Sequence, residues 1–252
     1  MISVQYETSV VPALHDFFGA KHHNMGDRDA LVYLYEMTQG HSSGWLEETN
    51  WETEMRLSMW HGVTVDEGAH VISCVLGSNR LTGSLLETDR LKGLVNMRSL
   101  YLDSNFLSGP VPTSLSQLTV LQELNLAWNK FTGRIPEEIY SMIHLQVLRL
   151  DNNELEGTIS ESIGNLTKLR LVNVCNNKLV GMIPKVGDKL KELRTCEFLP
   201  GNNFDGEVPK TAAEMKDHRA EIASDARRSQ LGSRSSSRAS SRAGSRKSSR
   251  GK

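Results

Sequence analysis

Residues 121–136 read L-Q-E-L-N-L-A-W-N-K-F-T-G-R-I-P, and residues 145–160 say nearly the same again: L-Q-V-L-R-L-D-N-N-E-L-E-G-T-I-S. The phrase recurs about six times between Val71 and Pro209. Asn105, Asn129, Asn153 and Asn177 mark its register at intervals of 24 residues. Asn79 stands 26 residues before the first of these and Asn202 stands 25 after the last. A fixed period in the twenties is the mark of stacked coils, each too small to bury an apolar face alone.

Each letter of the repeat has a physical task. Leu124 and Leu126 alternate with Glu123, Asn125 and Ala127, so the leucines share the inward face of a short strand and the others face out. The register asparagine falls where the chain leaves the strand, and its amide is expected to pair backbone groups stranded inside the coil. Gly83, Gly109, Gly133, Gly157, Gly181 and Gly206 each follow a register asparagine by four residues, where a turn needs an unusual φ. Val111-Pro112, Ile135-Pro136, Ile183-Pro184 and Val208-Pro209 then supply an apolar anchor and a residue with no backbone donor.

The combined pattern, L-x-x-L-x-L-x-x-N-x-L followed by L-x-G-x-I-P, resembles the 24-residue plant-type leucine-rich repeat, also found in protists and bacteria. The resemblance runs over roughly residues 27–209. It implies an α/β solenoid: a right-handed superhelix of about six coils with a short parallel sheet on its concave face. It also implies that this face binds another protein, without naming it.

Ahead of the repeats, Asp27 to Thr38 reads as a helix capped by Asp27, with Leu31, Leu34 and Met37 on one face and Gly40 closing it. Asn50-Trp51 and the W-x-G-V-T-x-D of Trp60 to Asp66 resemble the N-terminal cap of such repeats. Trp45, Trp51 and Trp60 are suited to plug the first coil's open end; an aromatic ligand pocket is the alternative. The division is then an extension (1–26), a cap (27–70), the repeats (71–209), a helix (210–228) and a disordered tail (229–252). The helix carries Met215 and Ile222 and either closes the solenoid or extends as a charged rod.

The net charge of −1 hides an asymmetry. Residues 227–252 hold nine basic side chains and no acidic one, which leaves 20 basic against 30 acidic in residues 1–226, about −10. In the tail Arg234, Arg238, Arg242 and Arg246 each have a serine three residues on: Ser237, Ser241, Ser245 and Ser249. Arg-x-x-Ser resembles basophilic kinase sites, and each phosphate would add about −1.5 to −2 charges. The expectation is a tether tuned by phosphorylation that reaches an acidic surface. A Ser/Arg-rich tail also resembles segments of RNA-associated proteins, the alternative reading.

Three cysteines argue against a disulfide framework. Cys74 and Cys196 take leucine positions in the first and last coils, roughly 24 Å apart at the usual strand spacing, too far to bridge. Secreted relatives usually pair cysteines in the cap, where this chain has Met59 and Val65. That points to a reducing compartment: cytoplasmic, with cytoskeletal or nuclear association as further addresses. Asn165-Leu166-Thr167 is formally a glycosylation sequon but also ordinary repeat wording. No run of 18 apolar residues suggests a membrane span, and the N-terminus does not read as a secretory signal.

Written out by repeat, the concave face has a central file of Val75, Tyr101, Asn125, Arg149, Asn173 and Glu197. Beside it runs Gly77, Asp103, Ala127, Asp151, Cys175 and Leu199, and next to the turn Ser78, Ser104, Trp128, Asn152 and Asn176. Tyr, Trp and Arg dominate binding hot spots, so Tyr101, Asn125, Trp128, Arg149, Asp151 and Asn173 are the candidate contacts. Solvated variable positions are the plainer reading. Gly40-His41-Ser42-Ser43-Gly44 matches the nucleophile elbow of serine hydrolases, but a helix precedes it where that chemistry needs a strand. His22-His23 has no ligand partner in spacing. Phosphate-loop, dinucleotide, zinc-protease and C-x-x-C patterns are missing, so the expectation is a non-catalytic scaffold without metal, cofactor or small-molecule substrate.

Overall fold

The structure is a computed structural model that describes residues 25–40, 44–206 and 208. The expectations for residues 1–24 with His22-His23, for Ser42, for the 210–228 helix, and for the tail with Ser237, Ser241, Ser245 and Ser249 lie outside the described residues.

The chain enters through helix α1 (Met25–Met37), which buries Leu31 and Leu34. Asp27 does not cap it. Its carboxylate is fully buried and accepts the backbone N–H of Val71 at 2.7 Å, which ties the helix to the first coil. The closing residue with left-handed backbone is Gln39 (φ 55°) rather than Gly40. Gly40 is small for another reason: a Cβ there would stand 2.1 Å from the ring of Tyr35.

Strands β1 (Val63–Val65) and β2 (Val71–Val75) pair antiparallel, and from β2 onward every pairing is parallel. The coils then give strands alternately to two sheets. In chain order these are β3 (Ser99–Tyr101), β4 (Ser108–Pro110), β5 (Glu123–Asn125), β6 (Lys130–Arg134), β7 (Val147–Arg149) and β8 (Glu154–Gly157). β9 (Leu171–Asn173), β10 (Lys178–Met182), β11 (Thr195–Glu197) and β12 (Asn203–Asp205) complete them. One sheet is ordered β1-β2-β3-β5-β7-β9-β11 and the other β4-β6-β8-β10-β12. Short 3-10 turns such as Thr113–Gln117 and Glu137–Ser141 close the third side, entered through Pro112 and Pro136. Ser160 holds the same place one coil later, and its Oγ accepts the Ser162 N–H at 3.1 Å.

The core is a stack in register: Cys74, Leu100, Leu124, Leu148, Val172 and Cys196 are successive strand partners, none more than 4% exposed. Beside it runs a ladder of amides. Asn153 donates from Nδ2 to the carbonyls of Leu126 (3.0 Å) and Leu150 (3.1 Å), and its Oδ1 accepts the Phe131 N–H at 3.0 Å. Asn105, Asn129, Asn177 and Asn202 make the same kinds of bond one coil apart. Asn79, at the ladder's head, bonds Glu47 of the cap through both side-chain atoms. The expected role of the register asparagine is thus observed in every coil.

All six spaced glycines have positive φ, as their position demands. The extra residue of the last coil is absorbed near Gly201, whose Cβ would stand 2.5 Å from the Cα of Asn176. At the other end Trp45, Trp51 and Trp60 are buried and pack on one another with centroids 5.0 Å apart, Tyr35 lying against the first two. The rings pack directly on one another, which supports the plug reading.

Candidate partner-binding face

The seven-stranded sheet presents the expected central file in register: Val75, Tyr101, Asn125, Arg149, Asn173 and Glu197 are successive strand partners. Their accessibility is uneven. Val75 and Glu197 are exposed at the two ends and Tyr101 and Arg149 are half-buried, while Asn125 and Asn173 are 6% and 5% exposed. The two asparagines are braces. Asn125 donates to Asp103 Oδ1 at 2.9 Å, Asn173 donates to Glu197 Oε2 at 2.7 Å, and each Oδ1 accepts the N–H two residues on.

In the second file Ala127, Asp151 and Cys175 are buried, against the expectation that they face out. The chain turns just beyond them with positive φ at Trp128, Asn152 and Asn176, as it does beyond Asp103, which stays half-buried. Asp151 is therefore a supporting residue: its Oδ1 lies 3.3 Å from Arg149 Nε and its Oδ2 accepts Asn152 Nδ2 at 2.8 Å. Of the six candidate contacts, the structure leaves Tyr101, Trp128 and Arg149 open to a partner, one from each of three successive coils.

Trp128 stands apart. It is 59% exposed and holds φ 55°, a left-handed conformation that serines or asparagines adopt in the neighbouring coils. Bulky residues rarely occupy that region, and the strain is of order 1–2 kcal/mol. Phe106, 50% exposed in the preceding coil, has the Lys130 ammonium 5.5 Å from its ring centroid.

Glu123, expected from the alternation to face out but not counted among the candidate contacts, belongs to a third outward file with Ser73, Ser99, Val147, Leu171 and Thr195. Its carboxylate accepts the Tyr101 hydroxyl at 2.6 Å and Ser99 Oγ at 3.2 Å. Burial, and then the bond to Glu123, push the Tyr101 hydroxyl up to about 12. Burial and then the charges of Asp151 and Glu197 also raise the Cys175 thiol. In both, burial is the larger cause and neighbouring carboxylates add to it, against the opposing charge of Arg149. Among the described residues no cluster of three or more His, Cys, Asp or Glu could hold a metal ion, and no helix is long and apolar enough to cross a membrane. The segment before Ser42 is helix α1 rather than the strand a nucleophile elbow requires.

The Leucine Rich Repeat family model matches residues 96–118, 120–142 and 144–166. The chain resembles the PEPR1–AtPEP1 crystal structure at 29% identity and a TM-score of 0.62, over 75% of this chain and 27% of that one. It resembles the ectodomain of the plant membrane receptor kinase GASSHO1/SCHENGEN3 from Arabidopsis thaliana, solved in complex with CASPARIAN STRIP INTEGRITY FACTOR 2. There the identity is 31% and the TM-score 0.59, over 72% of this chain and 22% of that one. It thus spans about a quarter of the length of those two structures. Against Pollen Receptor Kinase 3 the identity is 30% and the TM-score 0.60, over 70% of this chain and 85% of that one.

These likenesses overturn the cytoplasmic, cytoskeletal or nuclear address, because the structures the chain resembles include ectodomains of membrane receptor kinases. The cysteine argument failed for a physical reason. Cys74 and Cys196 are core residues at opposite ends of the stack and Cys175 is buried in the face, so packing keeps them apart in any compartment.

Proposed function

As a member of the plant-type leucine-rich repeat proteins, this chain is one for which we propose a non-catalytic role: docking a protein partner outside the cell through its seven-stranded face. Trp128 carries the reading. An exposed indole in a strained backbone position costs stability and contributes nothing to the core, which is the pattern of a residue kept for contact. Tyr101 and Arg149, both in the central file of the same face, supply a second aromatic and a cation whose orientation Asp151 fixes. The basic tail adds an electrostatic tether that phosphate on Ser237, Ser241, Ser245 or Ser249 would weaken. The RNA reading rests on that tail alone and has no support from the described face.

Selection of a phage-displayed random peptide library on the full chain tests the docking role. Enriched peptides should bind the native chain and lose at least about tenfold in affinity to Trp128→Asn and to Tyr101→Ala. Peptides that bind both variants as tightly as the native chain would place the docking surface elsewhere.

A further inference from the structure

Asp103, Glu123 and Glu197 lie along the face, each held by uncharged donors: Asn125 and Ser104 for the first, Tyr101 and Ser99 for the second, Asn173 for the third. None of the three stands in an ion pair among the described residues, and Arg149 is committed to Asp151. The face therefore carries a row of carboxylates without counter-cations. Resting on the reading of this face as a docking surface, we propose that the chain's own arginine-rich segment, residues 229–252, lies across that row in cis and competes with an outside partner.

Charge, spacing and reach agree. Residues 227–252 are all basic or neutral, with nine cations. Arginines four apart in an extended segment are about 13 Å from one another, and three strand spacings put β11 about 14 Å from β5. Arg234 and Arg238, or any successive pair of the four, can thus meet Glu123 and Glu197 together. Val208 is 26 residues before Arg234, a reach of at most about 90 Å, against about 24 Å from β2 to β11. Tethering holds the segment near the face at an effective concentration on the order of millimolar, so contacts too weak to hold a free peptide suffice in cis.

The test uses the full chain carrying Ser241→Cys, labelled with a nitroxide under native conditions in which Cys74, Cys175 and Cys196 are buried. Paramagnetic broadening is read in isotope-labelled protein. The Trp128 indole N–H and the Asn125 and Asn173 side-chain amides should lose at least about half their intensity at low salt and recover it in about 0.5 M NaCl. Glu123→Gln/Glu197→Gln should restore them at low salt as well. Broadening that survives the double substitution, or that spreads evenly over the surface, overturns the proposal. So does broadening of isotope-labelled, spin-free chain when mixed with spin-labelled, isotope-free chain, since the contact would then join two copies. If the tail never reaches the face while Trp128-dependent peptides are still selected, docking stands and this inference alone falls.

Discussion

The Nε of Arg149 lies 3.3 Å from the carboxylate of Asp151, and the two differ sharply in exposure: 40% for the arginine side chain and 3% for the aspartate. The pair is a surface cation braced from beneath by a buried anion. Arg149→Ala strands that anion, leaving Asn152 Nδ2 as its remaining side-chain donor. Breaking a fully buried pair costs more, and the half-exposed arginine scales the loss down to about 1–2 kcal/mol. Adding Asp151→Asn should recover part of it. Urea unfolding of the two singles and the double closes the cycle, and additive losses would show that the two residues do not support one another.

Trp128 makes the opposite prediction. Trp128→Asn places in the left-handed position the residue that Asn152 and Asn176 already are in theirs. The variant should be about 0.5–1 kcal/mol more stable than the native chain and bind selected peptides more weakly. Stability and affinity moving in opposite directions separates a contact residue from a structural one. A variant less stable and equally competent in binding would make Trp128 part of the scaffold.

How far the chain could be read in advance follows from where the physics is local. The period, the inward leucines, the spaced glycines and the amide ladder were legible because each depends on neighbours at fixed separation in sequence. The outward files were legible as columns but not as surfaces. Asn125, Asn173 and Asp151 lie in the expected columns, yet they are buried and bonded to Asp103, Glu197 and Arg149, and the first two of these bonds cross between coils, which no one-repeat pattern specifies. The left-handed strain at Trp128 was invisible because the letter alone does not state φ. The cap misled at Asp27, which has the right residue type and position for a helix cap but bonds across 44 residues to Val71.

The amide ladder sets the stability of the middle coils. Asn153→Ala leaves the Phe131 N–H without its side-chain acceptor, while the carbonyls of Leu126 and Leu150 each keep a second amide donor, from Asn129 and Asn177. At about 1–3 kcal/mol for the one abandoned group the loss should be about 1–3 kcal/mol, comparable to that for Arg149→Ala. Asn79→Ala releases the cap at Glu47 instead. Hydrogen exchange should show the first variant loosening the amides of β5 to β9 and the second loosening residues 45–65 ahead of the repeats. Uniform loosening in both would refute the division of labour.

Alkaline pH should unfold the chain earlier than its salt bridges suggest. Burial raises the hydroxyls of Tyr35 and Tyr140, and burial with the bond to Glu123 takes Tyr101 to about 12. The folded state holds these protons more tightly than the unfolded chain, whose tyrosines titrate near about 10. Their contribution is thus fully present below about pH 10 and is lost as pH rises through the folded values. Denaturation midpoints should fall between about pH 10 and 12, and Tyr140→Phe should flatten that fall. An unchanged slope in the variant would show that another group governs the transition.

The proposed extracellular address makes Asn165 a direct test. The Asn165-Leu166-Thr167 sequence reads as ordinary repeat wording, yet Asn165 ends the 3-10 turn Glu161–Asn165 and is exposed, as is Thr167. It lies on the turn side of its coil rather than on the strand face that holds Tyr101 and Arg149. A chain passing through a eukaryotic secretory pathway should therefore carry a glycan there without losing peptide binding. Expressed with a secretion leader, the protein should shift in mass on enzymatic deglycosylation, and Asn165→Gln should abolish the shift. The three thiols should meanwhile stay free and react with a thiol reagent only after unfolding, since all are buried and separated. Secreted protein that misfolds or cross-links through Cys74, Cys175 or Cys196 would count against an extracellular home, because packing alone would then fail to keep those cysteines apart.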